Sequence, residues 1–191
     1  MSRSIILASR SPRRIALLKQ IGIECSVMPA DIDENPLLGE HPCDYVQRLA
    51  IEKAKTIYET CRLALPEQLV LAADTTVAIH DEILGKPIDD AEAIAMLKKL
   101  SGATHLVHTA VAVCGYNRTL CMLNTTQVDM MPLTDEIIAD YIASGEHQDK
   151  AGSYGIQGLA GTWIQRIEGS YTGVMGLPLY EAAQLLHQIK V

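Results

Sequence analysis

The feature that most constrains this chain lies near its start, where an apolar strand passes into a helix through a short arginine-rich turn. Ile5, Ile6, Leu7 and Ala8 form a run suited to a short buried strand. Ile15, Leu17, Leu18 and Ile21 then recur at helical spacing up to Gly22. Ser9-Arg10-Ser11-Pro12-Arg13-Arg14 joins the two. Ser11 stands where an N-cap belongs and Pro12 at the first helical position, where its missing N–H costs nothing. Unpaired backbone N–H groups and the positive end of the helix dipole make such a junction an anion site. Arg10, Arg13 and Arg14 add planar donors suited to phosphate oxygens, so Ser9, Ser11 and Arg14 are candidate phosphate ligands. The plainer alternative is a capped surface helix whose arginines are solvated.

Further along, strand-like and helical runs alternate without repeats or low-complexity linkers. A second strand is expected near Cys25–Met28, then a polar loop over Asp31–His41. A helix follows from Tyr45 to about Cys61, capped by Asp44. Leu69–His80 reads as a long strand returning at Ile83-Leu84, and a helix spans Ala91–Leu100 from Asp89 or Asp90. Leu106–Val113 and Thr119–Val128 form a hairpin around Gly115-Tyr116-Asn117. Thr134 caps a helix over Asp135–Ala143, Trp163–Ile167 and Val174–Met175 read as short strands, and Tyr180–Ile189 closes the chain as a helix. Short turns beside helical crossovers indicate an α/β fold with a mixed twisted sheet flanked by helices. At 191 residues this is one domain, 1–191, with room for two lobes.

The totals exclude several classes. No apolar run approaches the roughly 20 residues of a membrane span, and the run after Met1-Ser2-Arg3-Ser4 is too short for a signal peptide. A cytoplasmic protein without membrane partners is expected. The net charge of −7 argues against a general nucleic-acid binder but not against a phosphorylated small molecule, which local clusters decide. The five cysteines are odd in number and widely spaced, without a zinc pattern, and read as free thiols. His105 and His108 fall on opposite faces of one strand and read as ordinary histidines.

Three features stand where packing alone would not put them. Lys53 lies on the apolar stripe of the second helix, four residues after Leu49 and four before Ile57. It either snorkels or reaches a buried anion. Asp74 interrupts a strand of Leu69-Val70-Leu71-Ala72-Ala73 and Thr76-Val77-Ala78-Ile79. A carboxylate there needs a cation, a metal or good donors, unless Asp74-Thr75 forms a bulge. Gly85-Lys86-Pro87 returns another lysine toward the same strand. Finally, Gly152, Gly155, Gly158 and Gly161 surround Gln157 in a loop that is neither a P-loop nor a dinucleotide fingerprint. It is either flexible filler or a frame presenting an amide to a base edge. One carboxylate, two lysines and an arginine turn suit phosphoryl transfer.

These segments together resemble the Maf family of nucleoside triphosphate pyrophosphatases. The resemblance runs through Leu7–Arg14, Arg48–Ala54, Ala73–Val77, Gly85-Lys86-Pro87, Thr104–Thr109, Asp149–Gly158, Gly169-Ser170-Tyr171 and Gly176-Leu177-Pro178. It implies an ITPase-like α/β fold with two lobes around a cleft. It also implies hydrolysis of a nucleoside triphosphate to monophosphate and pyrophosphate, assisted by Mg2+ or Mn2+. Asp74 matches the catalytic carboxylate, Glu34, Lys53 and Lys86 match polar positions of the cleft, and Arg13, Thr75 and Gln157 match specificity positions. On this reading Lys53 and Lys86 join Asp74 in catalysis, and the metal is expected on phosphate oxygens with Asp74 and Glu34. Tyr154-Gly155-Ile156-Gln157-Gly158 looks like the branch acting on dTTP and UTP, with modified pyrimidine nucleotides as further substrates. Thr76 departs from the aliphatic residue expected after Asp-Thr. A homodimer is a family-level expectation. The competing readings are a house-cleaning pyrophosphatase for another modified nucleotide and a nucleotide-sensing regulator of cell division.

Overall fold

A computed structural model describes residues 4–116 and 118–189. Met1–Arg3, Asn117, Lys190 and Val191 lie outside the described residues, and with them the reading of the first residues and the last position of the hairpin turn. The strands are β1 (Ser4–Leu7), β2 (Glu24–Val27), β3 (Val70–Ile79), β4 (Glu82–Leu84), β5 (Thr104–Gly115), β6 (Arg118–Met130) and β7 (Ile164–Glu168). They form a seven-stranded sheet of order β2-β1-β3-β5-β6-β7, with β4 beside β3. β1 runs parallel to β2 and β3, and the other pairings are antiparallel. The expected mixed α/β sheet is therefore what forms.

Helices α1 (Pro12–Gln20), α2 (Pro42–Cys61), α3 (Asp90–Leu100), α4 (Asp135–Ser144), α5 (Tyr171–Val174) and α6 (Leu179–Gln188) cover the sheet. Alternation along β1 decides what each face buries. Ile5 and Leu7 pack with Leu17, Leu18, Leu185 and Ile189 from α1 and the α6 end. Ile6 and Ala8 face Val46, Leu49, Ala50 and Ile57 of α2. A third cluster joins Val77, Val107 and Val128 to Leu97 of α3, Tyr141 of α4, Tyr154 and Trp163. No helix of the described residues is long and apolar enough to cross a membrane.

Several local expectations are corrected. The second helix begins at Pro42 rather than Tyr45, because Pro42 takes the first helical position and His41, not Asp44, accepts from Cys43 N (3.3 Å). Ser11 occupies the N-cap of α1, but its side chain caps nothing; Ser9 Oγ instead accepts from Ser11 N at 3.2 Å. Val174–Met175 is not a strand. Ser170 Oγ accepts from Gly173 N (3.0 Å) and starts the one-turn helix α5 there. Two 3-10 segments, Ala151–Ser153 and Leu159–Trp163, flank the glycine-rich loop, and β7 begins at Ile164.

The position of the cleft follows from strand pairing. β1 meets β3 only at Val70 and Leu71, and β4 meets it only at Val77–Ile79. Between these contacts, Ala73–Thr76 is paired with β5 alone among the described strands. Asp74 and Thr75 sit in that gap.

Candidate active site

A cleft of about 780 Å³ opens at the gap, within the size range of small-molecule sites. It is lined by the arginine turn, Glu34, Lys53, Thr75, Lys86, residues 148–151 and 154–158, and Val174–Gly176. Six basic side chains face it against three acidic ones, reversing the acidic balance of the whole chain. Such local focusing favours an anionic ligand.

At its floor, the α2-facing side of β3 meets the stripe of α2. Val70, Ala72 and Asp74 project toward that helix by strand alternation, and Lys53 comes down between Leu49 and Ile57. Lys53 Nζ lies 2.7 Å from Asp74 Oδ1 and 2.8 Å from Glu34 Oε1. Lys53 and Asp74 are 7% and 6% exposed, so Lys53 reaches a buried anion rather than snorkelling. Asp74 lies in regular pairing opposite Ala110, so there is no bulge. Thr76 is buried beside it.

The two carboxylates respond oppositely. Burial pushes the Asp74 carboxyl above the ordinary aspartate range, although Lys53 and Arg14 pull it down. Burial also pushes Glu34 up, but its bond to Lys53 and the charges of Lys53, Lys86 and Arg14 outweigh this and hold it below its ordinary value. Its segment is pinned to α2: Tyr45 Oη donates to the Glu34 carbonyl (2.9 Å) and Arg48 to the Asn35 carbonyl (3.2 Å). Asp74 itself is not in the cleft wall; Lys53 covers it.

The arginines separate into two kinds. Arg14 donates to the Gly176 carbonyl (2.7 Å), Ser9 Oγ (3.0 Å) and Thr75 Oγ1 (3.3 Å). It ties the first turn to β3 and to the segment after α5, and much of its donor capacity is used. Thr75 is held further by Thr109, whose hydroxyl lies 3.0 Å from it and donates to the Gly173 carbonyl at 2.9 Å. Arg13 and Lys86 line the cleft without an ion pair or hydrogen bond among the described residues. Lys86 acts at a distance on Glu34 rather than pairing with Asp74. Ser9 and Ser11 line the cleft beside them.

The glycine-rich loop forms the opposite wall. Gly152 has φ +67°, and a Cβ there would come within 2.8 Å of Val77 Cγ2. Its N–H donates to the Gly85 carbonyl (3.0 Å), which sets Lys86 against the loop. Gly158 N donates to the Gly155 carbonyl (3.1 Å), closing a turn that exposes Gln157 at the cleft. Tyr154 Oη lies 2.7 Å from His105 Nε2, and His108 Nδ1 lies 2.9 Å from Thr125 Oγ1. Both histidines are core residues, and all five cysteines are free thiols.

Thus the structure brings Ser9, Ser11, Arg13, Arg14, Glu34, Lys53, Thr75, Lys86 and Gln157 to one cleft, with Asp74 beneath Lys53. Sequence reasoning missed Thr109 and Glu146. Thr109 carried a signal only as a hydroxyl inside an apolar strand, and Glu146 carried none beyond following the helix-ending Gly145.

Known proteins with similar sequences cover nearly the whole chain. A Methylobacillus flagellatus protein named dTTP/UTP pyrophosphatase is 54% identical over 187 residues, 98% of this chain and 93% of that protein. A Shewanella oneidensis protein of the same name is 50% identical over 191 residues, 97% of each. Among solved structures, the Staphylococcus aureus Ham1 protein matches 67% of this chain and 72% of its own, with a TM-score of 0.45 and 18% identity. Residues 4–189 match the family model described as Maf-like protein, and the chain belongs to the Maf family.

Proposed function

We propose that this chain hydrolyses dTTP and UTP, and modified pyrimidine relatives, to the nucleoside monophosphate and pyrophosphate. The observation that carries the reading is the shared lysine. Lys53 holds a buried carboxylate with a raised pKa and a half-exposed one with a lowered pKa, at the floor of a cationic cleft. The names of the Maf relatives supply the substrate class.

Arg13, Lys86 and the amino end of α1 bind the triphosphate, since they face the cleft and the Arg13 and Lys86 side chains have no ion pair or hydrogen bond among the described residues. The phosphate oxygens compete with Asp74 for Lys53, which frees Asp74 Oδ1 to take a proton. A carboxylate with a raised pKa suits a general base. Asp74 accepts the proton of a water that attacks the α-phosphorus, the bond to the α,β-bridging oxygen breaks, and Lys53 and Lys86 offset charge on the departing pyrophosphate. Gln157, which lines the same cleft as Arg13 and Thr75, meets the pyrimidine edge.

A divalent cation, Mg2+ or Mn2+, is part of the proposal. The described residues contain no cluster of three or more His, Cys, Asp or Glu able to hold a metal alone. Glu34 and Asp74, joined by substrate phosphates, fit a hard cation held by one or two carboxylates. When bound, the ion supplies charge neutralisation at the phosphates. We place the activity in the cytoplasm, where nucleoside triphosphates are made and used.

The test is a nucleotide panel of dTTP, UTP, CTP, GTP and 7-methyl-GTP with Mg2+ or Mn2+ and product analysis. dTMP or UMP with pyrophosphate, and dTTP and UTP as the best substrates, is the expected result. Diphosphate with orthophosphate would overturn the cleavage site, and tight binding without turnover would make the protein a sensor.

A further inference from the structure

The turn carrying Gln157 is short, exposed and rich in glycine, yet its two ends are fixed by side chains from a segment just before it. α4 ends at Gly145 with φ 75° and ψ 2°, a left-handed cap that suits glycine. The reversal directs Glu146 away from the helix and toward the turn. Glu146 Oε2 accepts from Leu159 N at 2.9 Å, where the 3-10 segment after the turn begins. A Cβ on Gly158 would stand 2.0 Å from the same Oε2, so a side chain there would push the carboxylate off this seat. At the other end, Lys150 lies across Gly155, where a Cβ would meet its Cε at 2.8 Å. Lys150 Nζ in turn donates to the Glu146 carbonyl. Residue 146 thus meets both ends of the Gly155–Gly158 turn, one through its carboxylate and one through Lys150.

We infer that Glu146 is a positioning residue for base selection: it holds the Gly155–Gly158 turn so that the Gln157 amide meets the pyrimidine edge. This rests on the proposed reading of the cleft as a dTTP and UTP site. Glu146 acts through Leu159 N and the Gly158 backbone, not on the phosphates. A small displacement of a hydrogen-bonding amide is felt mainly as lost discrimination, because a mismatched polar edge is penalised strongly.

Glu146→Ala should therefore raise KM for dTTP and UTP by about tenfold, the scale of one lost charge-assisted hydrogen bond, with kcat nearly unchanged. CTP and GTP should be affected less, so the ratio of kcat/KM for dTTP over CTP falls. Glu146→Gln keeps a carbonyl acceptor for Leu159 N and should recover most of the ratio. Gly158→Ala should reduce the ratio in the native background and reduce it less in Glu146→Ala, since the added methyl then has room. An unchanged dTTP/CTP ratio in Glu146→Ala, an equal fall in kcat for all nucleotides, or additive effects of the two substitutions would overturn the inference. Glu146→Gln and Gly158→Ala carry the test should Glu146→Ala not fold: loss of the ratio in Glu146→Gln as complete as in a Gln157→Ala control overturns it too. If the native protein releases no pyrophosphate from dTTP, the proposed function fails rather than the role of Glu146 alone.

Discussion

Lys53 Nζ is 2.7 Å from Asp74 Oδ1, and both side chains are 9% exposed. The same ammonium also serves Glu34, so Asp74 receives only part of its charge. Asp74 is therefore ionised at some cost to the fold. Asp74→Asn should lower kcat by at least about 10²-fold. Relative to the native chain, its melting temperature should also rise between acid and neutral pH. A carboxyl raised in the folded state stabilises below its unfolded pKa and costs stability once ionised, so the rise should track its ionisation. Melting curves near pH 8 and in acid, with steady-state rates, check both; near-native turnover would end the base assignment.

Lys53→Ala should lose activity and stability together, because it leaves Asp74 buried without its cation. Breaking a buried pair costs about 3–5 kcal/mol, and the exposed half of the Glu34 contact adds little. The stability deficit should shrink as pH falls and Asp74 takes up a proton. A deficit independent of pH would show that packing of the lysine stem, not the ion pair, is what matters.

Lys86→Ala is expected to leave the melting temperature unchanged, since Lys86 is exposed and has no ion pair among the described residues. Its effect should be a rise in KM for triphosphates of about tenfold, weakening as salt is added. Isothermal titration with pyrophosphate at two ionic strengths would check this, and equal affinity in both proteins would remove Lys86 from the phosphate site.

Gln157→Glu exchanges the amide donor for a carboxylate facing the base carbonyls. It should depress kcat/KM for dTTP and UTP more than for CTP and GTP, narrowing or inverting the ranking. An unchanged ranking would remove Gln157 from base selection.

His105 predicts where acid attacks the fold. Burial lowers its pKa from 6.5 to about 4, and its Nδ1 is enclosed without a hydrogen-bond partner among the described residues. It stays neutral in the folded chain while the unfolded chain takes up a proton. The stability it contributes is present above pH 6.5 and lost progressively toward about 4. An NMR titration should find its imidazole neutral down to that range; titration near 6.5 would contradict the burial argument.

Much of this arrangement was legible in the sequence because it offended local rules. Lys53 stood on an apolar stripe and Asp74 inside an apolar strand, and each anomaly explained the other once α2 lay on β3. The arginine turn was legible too, but not the division of labour within it, because Arg14 takes its partners from Thr75 and Gly176, far along the chain. The one-turn helix at Tyr171–Val174 was hidden by apolar composition, which a strand shares. Glu146 was hidden because its partner is a backbone N–H, which every residue carries.

The bond from Arg14 to the Gly176 carbonyl spans 162 positions of sequence. Lys53, Asp74 and Glu34 lie within 41 residues of one another, but the first turn takes one of its anchors from the last few residues before α6. Closing a loop that long costs entropy that the contacts must repay. A chain cut short of Gly176 would lose that brace together with Leu185 and Ile189, which pack against β1 and α1, so the triphosphate turn at one end of the polypeptide depends on the other end for its shape.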